Sequence, residues 1–329
     1  MTGSWHPLVF TPYLRPQIWG GRALAERFGK PLATAEPYGE SWEISGHPHH
    51  ISVVSEGPHA GETLADLCEK YPREIFGRTI PGDGKFPLLI KLLDCHELLS
   101  VQVHPNDEQA EQILGNEKGK TEAWVVIDSL ESGEIYAGLK PGMNRSQFEQ
   151  HMADKTTGQA LHRFRPHAGD CVFIPAGTIH TMGGGVLIAE VQQTSDATFR
   201  IFDWNRLDKN GASRALHLQE SLMAIDFSKG PVAPVEPRPL ADGGQRLIEC
   251  PYFTIDRYSS PKSVAVPTGE LSIWMLLGGS AELVGDDGEY RRLFTAGQSV
   301  LVPAAAKSLG WIGTSTDSPA QLLRITLPA

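Results

Sequence analysis

The segment GDCVFIPAGTIHTMGGGVLIAEVQQ, residues 169–193, contains the strongest signal for the fold. It starts with a short apolar run between Gly169 and Pro175, passes through a turn to His180 and three glycines, and ends in a second apolar run. Runs of four to eight residues that are rich in Val and Ile and bounded by Gly or Pro are typical of β-strands. Similar runs recur from Phe86 onward, so the sequence predicts a mainly β fold, a sandwich or barrel with a few short helices.

The run between Gly and Pro has a second copy downstream, GQSVLVP at residues 297–303. Another pair of similar runs precedes the two copies in the same order, EAWVVID around Trp124 and SIWMLLG around Trp274. In the first half of the chain more residues separate EAWVVID from the Gly–Pro run than separate the matching runs in the second half. A helical stretch from Asn144 to Met152 lies among these additional residues. Two matches in the same order predict a repeated β unit.

The predicted boundary between the two copies lies in Pro231 to Pro239, PVAPVEPRP, which has a linker composition. We therefore predict two domains, residues 1–230 and 240–329, as the length of 329 residues also suggests. The sequence also predicts short helices at four other places. They start near Arg22, after a cap at Thr63, at Asp107 with Asp107 itself as the cap, and after His217.

Composition and charge exclude several classes of function. The formal net charge is −10, which argues against nucleic acid and against a basic membrane surface as partners. Apolar residues make up 40% of the chain without a run long enough for a membrane span, and the first residues do not resemble a signal peptide. Four widely separated cysteines predict buried thiols in a reducing cytoplasm.

Four polar residues at strand positions suggest a metal site. Gln102 and His104 are two residues apart in SVQVHP, so a strand would place both side chains on one face. Glu122 starts another predicted strand, and His180 follows the end of a third. Imidazole, carboxylate and amide ligands suit zinc, and less often iron, manganese or nickel. Taken singly, His104 is more simply a structural histidine and Glu122 a solvated strand end.

The spacing Gly169-x5-Pro-x-Gly-x2-His-x3-Gly resembles the second motif of the cupin superfamily, with Gly184 in place of the usual Asn. This resemblance implies that the repeated unit is a cupin jelly roll and that the chain contains two of them. The first cupin motif is less regular, because Gln102 stands where a His is usual. In the second copy Ser308 matches His180 and Ala305 matches Gly177, so that copy is predicted to be metal-free and structural.

A closer resemblance covers residues 16 to 206. The motifs PQIWGG, GESWEIS, FPLLIKLLD, LSVQVHPND, GKTEAW and EVQQTSDATFRIFDWNR resemble, in order, the short bacterial form of the mannose-6-phosphate isomerase family. The resemblance implies a cytoplasmic enzyme that binds one Zn²⁺ per chain and a sugar phosphate. It assigns the zinc ligands to Gln102, His104, Glu122 and His180, the catalytic arginine to Arg200, a catalytic lysine to Lys120 and a substrate-binding lysine to Lys91.

The implied reaction interconverts mannose 6-phosphate and fructose 6-phosphate by moving a proton between C1 and C2 through an enediol. Two alternatives stay open from the sequence: a cupin oxygenase that uses iron, and a cupin that binds a sugar phosphate without turnover. Arg200 could instead form an ion pair with Asp196 or Asp203, and Lys91 could simply mark the polar side of a strand.

Two other clusters have simpler interpretations. His47, His49, His50 and His59 are irregularly spaced in a turn-rich stretch, which predicts a surface loop rather than a second metal site. Gly183 to Gly185 lack the context of a phosphate-binding loop. We expect these glycines to form a close turn beside the metal, where a substrate could approach the backbone.

Overall fold

The computed structural model describes residues 5–115, 117–207, 211–259 and 263–328. The chain is mainly β in these ranges, as predicted, and its helices are short. Six α-helices and one 3₁₀ turn are described: α1 Ala23–Phe28, α2 Leu64–Lys70, α3 Pro72–Phe76, α4 Asp107–Leu114, α5 Arg145–Ala153, the 3₁₀ turn Thr157–Ala160 and α6 Leu218–Ala224. None of the helices in these ranges has the length and apolar character that a membrane crossing requires.

The strands fall into two series along the chain. The first series is β1 Tyr13–Gly21, β2 Tyr38–Ser45, β3 Leu88–Cys95, β4 Val101–Val103, β5 Glu122–Ser129, β6 Glu134–Leu139, β7 Leu161–Phe164, β8 Cys171–Ile174, β9 His180–Gly183, β10 Val186–Gln193 and β11 Phe199–Phe202. The second series is β12 Arg238–Pro239, β13 Gln245–Glu249, β14 Thr254–Ser259, β15 Ser263–Ala265, β16 Ser272–Gly278, β17 Ser280–Gly285, β18 Arg291–Thr295, β19 Ser299–Val302, β20 Leu309–Gly313 and β21 Gln321–Thr326.

Both series form the same arrangement of two antiparallel sheets. The first has the orders β1-β2-β3-β10-β5-β8 and β11-β4-β9-β6-β7, and the second has β12-β13-β14-β21-β16-β19 and β15-β20-β17-β18. Each strand from β1 to β10 therefore has a counterpart from β12 to β21 at the same position in the strand order of its sheet. The predicted cupin-type jelly rolls are confirmed, and β11 is the one strand of the first series without a counterpart among the described residues.

The two sequence matches that predicted the repeat occupy equivalent positions. Trp124 on β5 lies opposite Val172 on β8, and Trp274 on β16 lies opposite Val300 on β19. Both indoles also donate a hydrogen bond to the side chain two residues earlier on the same strand. Trp124 Nε1 donates to Oε1 of Glu122 at 3.1 Å, whereas Trp274 Nε1 donates to Oγ of Ser272 at 3.0 Å. Ser272 thus occupies the position in the second unit that Glu122 has in the first.

The two six-stranded sheets pack against each other with one face and line their own jelly rolls with the other. Residues such as Ile90 and Val125 share an apolar cluster with Ile273 and Leu323 of the second unit. Because side chains alternate along a strand, the residues between them point into the jelly roll. In the second unit that interior is filled by large rings, among them Trp274 and Trp311, whose ring centroids are 5.8 Å apart.

The first part of the predicted linker is bound to the first unit, and its last two residues form β12 of the second unit. Within the stretch from Pro231 to Pro239, the N–H of Val232 donates to the carbonyl of Ala137, and the N–H of Val235 donates to the carbonyl of Cys171. The prolines of this stretch have no N–H to donate, so the residues between them make its hydrogen bonds. A linker-like composition therefore does not mean that the stretch is unbound.

Helix α4 begins as predicted but has a different cap. Asn106, not Asp107, has the extended backbone of a capping residue, and its Oδ1 accepts the N–H of Gln109 at 2.8 Å. The Gln109 side chain accepts the N–H of Asn106 in return, at 3.0 Å. Asp107 is the first helical residue and accepts a hydrogen bond from the N–H of Gly119 instead.

This capping box gives a stability prediction. Asn106→Ala is expected to lower the free energy of unfolding by about 1 kcal/mol, because the N–H of Gln109 loses its acceptor. Urea unfolding would measure the change, with Glu111→Ala as the control because Glu111 is exposed on the same helix. Equal stability of the two variants would contradict the role of the box.

Candidate metal centre

The alternation of side chains brings the predicted ligands together inside the first jelly roll. On β4, Val101 and Val103 belong to an outer apolar cluster, so Gln102 between them points inward. On β5, Glu122 is two residues before Trp124, so both side chains are on the same face of the strand. Trp124 lies in the inner apolar cluster, and Glu122 therefore also points inward. Gln102 is paired directly with His180, the first residue of β9. Three strands with ordinary geometry, β4 with the residue that follows it, β5 and β9, therefore direct these side chains to one place.

His104, Glu122 and His180 form a compact buried cluster. Each offers one ligand atom, and these atoms lie within 4.8 Å of one another. Nε2 of His104 is 3.5 Å from Oε2 of Glu122, and Nε2 of His180 is 3.4 Å from Oε1. In the described part of the chain this is the one group of at least three His, Cys, Asp or Glu residues close enough to hold a metal ion.

Both imidazoles are held in the form that binds a metal. Nδ1 of His104 is 2.8 Å from the carbonyl of Ala197, and Nδ1 of His180 is 2.9 Å from the carbonyl of Thr178. A carbonyl can only accept, so Nδ1 carries the proton and Nε2 keeps its lone pair toward the cluster. Burial lowers the pKa of His104 well below its ordinary value and that of His180 to about 4, which favours the neutral rings.

The carboxylate of Glu122 fits a cation at this point. Its Oε2 is buried and accepts no well-directed hydrogen bond from the described residues. The ammonium of Lys120 lies 3.0 Å from that oxygen and 3.1 Å from Nε2 of His104, so Lys120 adjoins the cluster. This oxygen therefore already has one cationic neighbour, and it keeps a lone pair for a metal ion held between the two imidazoles. Two neutral imidazoles and a carboxylate are a donor set that suits Zn²⁺.

Gln102 lies at the edge of the same cluster. Its amide Nε2 is 3.3 Å from Nε2 of His180. The amide oxygen is the atom of this side chain that can bind a metal, and it belongs to a residue in direct strand register with His180. The geometry therefore places Gln102 beside the three-residue cluster, where it can add a neutral oxygen ligand.

Lys91 is buried among acceptors and not exposed on the polar side of a strand. On β3 it is paired with Glu190 of β10. Its Nζ donates to Oε1 of Gln192 at 2.6 Å and is 3.1 Å from Oε1 of Glu190. Burial would lower the pKa of Lys91, but the carboxylates of Glu190 and Glu40 raise it above its ordinary value. Lys91 is therefore a cation whose charge the protein already balances.

Arg200 lies on β11 directly opposite Gln102, so both side chains are on the inward face. Its Nη1 donates to the carbonyl of Ala215 at 2.9 Å, and its buried Nε has no hydrogen-bond partner in the described ranges. Neither Asp196 nor Asp203 forms an ion pair with it there. Asp203 is engaged by two other arginines, Arg206 and Arg214.

Three acidic or aromatic residues near the cluster were not identified from the sequence. Glu190, at 3.1 Å, and Asp196 act electrostatically on the ammonium of Lys91. The centroid of the Trp42 ring is 5.5 Å from that ammonium and 4.8 Å from the guanidinium of Arg15. A signal for Glu190 was present, because a charged residue in the buried run VLIAEVQQ calls for a buried partner.

The histidine stretch differs from the predicted surface loop. His47 is buried, and its Nε2 is 3.6 Å from Oε1 of Glu117. His49 is exposed and is 3.6 Å from Asp196, while His50 stacks on Tyr13 with ring centroids 4.1 Å apart. The rings of His47 and His49 contact each other, with centroids 4.6 Å apart, but among the described residues these histidines belong to no group of three ligands close enough to hold a metal ion.

The glycine triplet forms the close turn between β9 and β10, but neighbouring backbone fills the space around it. A Cβ on Gly183 would lie 2.3 Å from the carbonyl oxygen of Glu97, and one on Gly184 would lie 2.2 Å from that of Ser132. Backbone packing therefore explains these glycines, and approach of a substrate does not.

A separate cavity of about 480 Å³ lies between α4, the turn at 175–177 and the second unit. It contains none of the predicted site residues, and two of its polar groups are already bound. Lys229 donates to the carbonyl of Ala176 at 2.5 Å, and Tyr252 donates to Asp107 at 3.0 Å. We therefore assign the chemistry to the buried cluster and not to this cavity.

The thiols are unpaired, as expected. Cys68, Cys95 and Cys171 are buried, but Cys250 is only half-buried. Burial raises the pKa of Cys68 and Cys171 to about 12, so neither is a thiolate ligand at neutral pH.

Comparisons with known proteins show which family the chain resembles. The family model of the type I phosphomannose isomerase catalytic domain matches residues 8–135. The mannose-6-phosphate isomerase ManA of Bacillus subtilis is 35% identical over 300 residues, 90% of this chain and 93% of that protein. The mannose-6-phosphate isomerase of Streptococcus mutans is 37% identical over 261 residues, 78% of this chain and 80% of that protein. A crystal structure of mannose 6-phosphate isomerase from B. subtilis superposes with a TM-score of 0.88 at 32% identity, covering 99% of this chain and all of that one.

Proposed function

This chain belongs to the mannose-6-phosphate isomerase family, and we propose that it interconverts mannose 6-phosphate and fructose 6-phosphate with one Zn²⁺ bound per chain. The observation that carries the proposal is the buried cluster of His104, Glu122 and His180 inside the first jelly roll. Gln102 is proposed as the fourth ligand because it lies beside His180. The free thiols of the chain support the cytoplasmic location expected from the sequence.

The proposed reaction moves a proton between C1 and C2 of the sugar through an enediol. A bound Zn²⁺ would polarise the carbonyl and stabilise negative charge on the oxygens by several kcal/mol. Lys120 has its Nζ within 3.1 Å of two proposed ligands, so its ammonium adjoins the reacting carbons of a sugar held there. We propose that Lys120 donates hydrogen bonds to the sugar oxygens and takes part in the proton transfer.

Arg200 is proposed as the cation that stabilises charge on the substrate. Its guanidinium forms no ion pair with a carboxylate of the described residues, and Nε is free to donate. Arg206 and Arg214 lie near Arg200 and share the single carboxylate of Asp203. Three arginines therefore face one carboxylate in this wall of the site, which has an excess of positive charge. An anionic sugar phosphate fits such a wall.

Lys91 has a different proposed role. Glu190 and Gln192 already bind two of the three N–H groups of its ammonium. We propose that Lys91 uses the remaining N–H to contact a sugar hydroxyl, and that its other contacts hold the side chains of Glu190 and Gln192 in place. The first unit, residues 1–230, is proposed as the catalytic domain. The second, residues 240–329, is proposed as a metal-free support, because Ser272 and Ser308 replace the Glu and one His of the site.

The test is formation of fructose 6-phosphate from mannose 6-phosphate before and after treatment with a chelator. We expect turnover in metal-replete protein, loss of turnover with the chelator, and recovery on adding Zn²⁺. A sample dialysed without chelator is the control, and metal analysis of the untreated protein identifies the ion.

Each alternative gives a different result in the same assay. Iron in the purified protein together with consumption of O₂ would support an oxygenase. Binding of mannose 6-phosphate by metal-replete protein without turnover would support a non-catalytic cupin. Either result would overturn the isomerase proposal.

A further inference from the structure

The strand that carries Arg200 is an addition to the jelly roll, and no further strand pairs with its outer edge among the described residues. Strand β11 has four residues and pairs only with β4 in the described ranges. A short edge strand is held weakly, so something else must fix the position of Arg200. We propose that His217 is a positioning residue that holds Arg200 against the metal centre. This inference rests on the function proposed above.

Both backbone groups of Arg200 are bound by His217. The N–H of Arg200 donates to Nδ1 of His217 at 3.1 Å, and the carbonyl of Arg200 accepts the N–H of His217 at 2.8 Å. These groups therefore point away from β4. The pair of Arg200 and Gln102 is then the closely spaced, non-hydrogen-bonded kind, which brings their side chains near each other.

The same segment also binds the guanidinium. Ala215, two residues before His217, accepts a hydrogen bond from Nη1 of Arg200 at 2.9 Å. The preceding residue, Arg214, forms two hydrogen bonds to Asp203, at 2.7 and 2.6 Å. This bidentate pair attaches residues 214–217 to the end of β11. It therefore fixes the position of Ala215 and His217 relative to Arg200.

The imidazole of His217 has no competing role in the helix that follows. His217 is the residue before α6, but its side chain makes no capping hydrogen bond. As an acceptor, Nδ1 must be unprotonated. An Asn side chain places its oxygen near the position of Nδ1, whereas the polar atoms of Gln extend to the position of Nε2. Asn can therefore replace the required acceptor, and Gln and Leu cannot.

The experiment compares His217→Leu, His217→Gln and His217→Asn in the mannose 6-phosphate assay. We expect kcat to fall about 10- to 100-fold in the Leu and Gln variants, because a small misplacement of Arg200 weakens its contact with the developing charge. Bound zinc should change little, and the Asn variant should recover most of the lost kcat. Gln219→Ala, an exposed position on the same helix, is the matched control.

A double variant separates positioning from a general structural role. In an Arg200→Ala background, His217→Leu should cause no further loss of kcat, because its effect acts through Arg200. Wild-type kcat in His217→Leu, or equal losses in the Asn and Leu variants, would overturn the proposal. Absence of turnover in the wild-type enzyme would instead overturn the proposed function, so the two failures are distinguishable.

Discussion

Substitution of His104 by alanine is expected to lower kcat by on the order of 10³-fold and to release the metal. His104 is one of three ligands in a cluster whose atoms lie within 4.8 Å of one another. Its loss leaves two of these ligands, and Glu122 keeps a buried oxygen without a well-directed hydrogen bond. Zinc content measured on the purified variant, together with the rate of fructose 6-phosphate formation, would check both effects.

Two further variants make this result specific. His167→Ala removes an exposed histidine and should keep both zinc and activity. Glu122→Gln keeps the size of the side chain and the acceptor for Trp124 while removing the negative charge, so it should bind zinc weakly. Full zinc content and full activity in His104→Ala would contradict the assigned site.

The clustering of the candidate ligands and the repeated fold were predictable because their signals are local. The spacing of Gln102 and His104 fixes a common face of one strand, and the run from Gly169 to Pro175 recurs with the same flanking residues. The structure adds that Ser272 replaces Glu122 in the second unit, which follows from the two matched tryptophans. Periodicity and spacing were sufficient for these features. The assigned roles of the individual site residues and the domain boundaries remain predictions.

Partners that come from distant parts of the chain were not predictable in the same way. Lys91 is neutralised by Glu190 because β3 and β10 are neighbours, although nearly a hundred residues separate them. His47 is buried because Glu117 and Trp42 lie beside it, and the composition of its own segment indicated only a loop. Tertiary pairing decides these environments, and a single sequence does not reveal which strands pair.

The ion pairs of Lys91 and Lys120 decide which side chains can attract an anionic substrate to a protein whose net charge is −10. An anionic substrate needs local positive charge that outweighs the mean field of the protein, and Lys91, Lys120 and Arg200 are the three cations assigned to the site. The structure pairs Lys91 with Glu190, and it places Lys120 against Glu122. Arg200 remains the one of these three cations without a carboxylate within 4.0 Å in the described part of the chain. Attraction of the substrate should therefore depend most on Arg200.

Arg200→Ala is accordingly expected to reduce kcat/KM by about 10²- to 10³-fold while zinc stays bound. The guanidinium is a fixed donor on the inward face, opposite Gln102, and alanine leaves nothing in its place. Arg200→Lys keeps the charge but loses the planar fork of donors, so its activity should lie between the wild type and the alanine variant. Steady-state rates with mannose 6-phosphate, with zinc content measured in parallel, provide the test.

The control for Arg200 is an exposed cation that is not among the site residues. Arg145 is exposed on α5 and pairs with Glu149, so Arg145→Ala changes the net charge by the same amount as Arg200→Ala. If the mean field of the protein governed substrate binding, the two variants would lower kcat/KM equally. A local role for Arg200 requires that Arg145→Ala stay near the wild-type value, because solvent and salt screen exposed charges beyond about 10 Å. Equal losses in both variants would refute the assignment of Arg200.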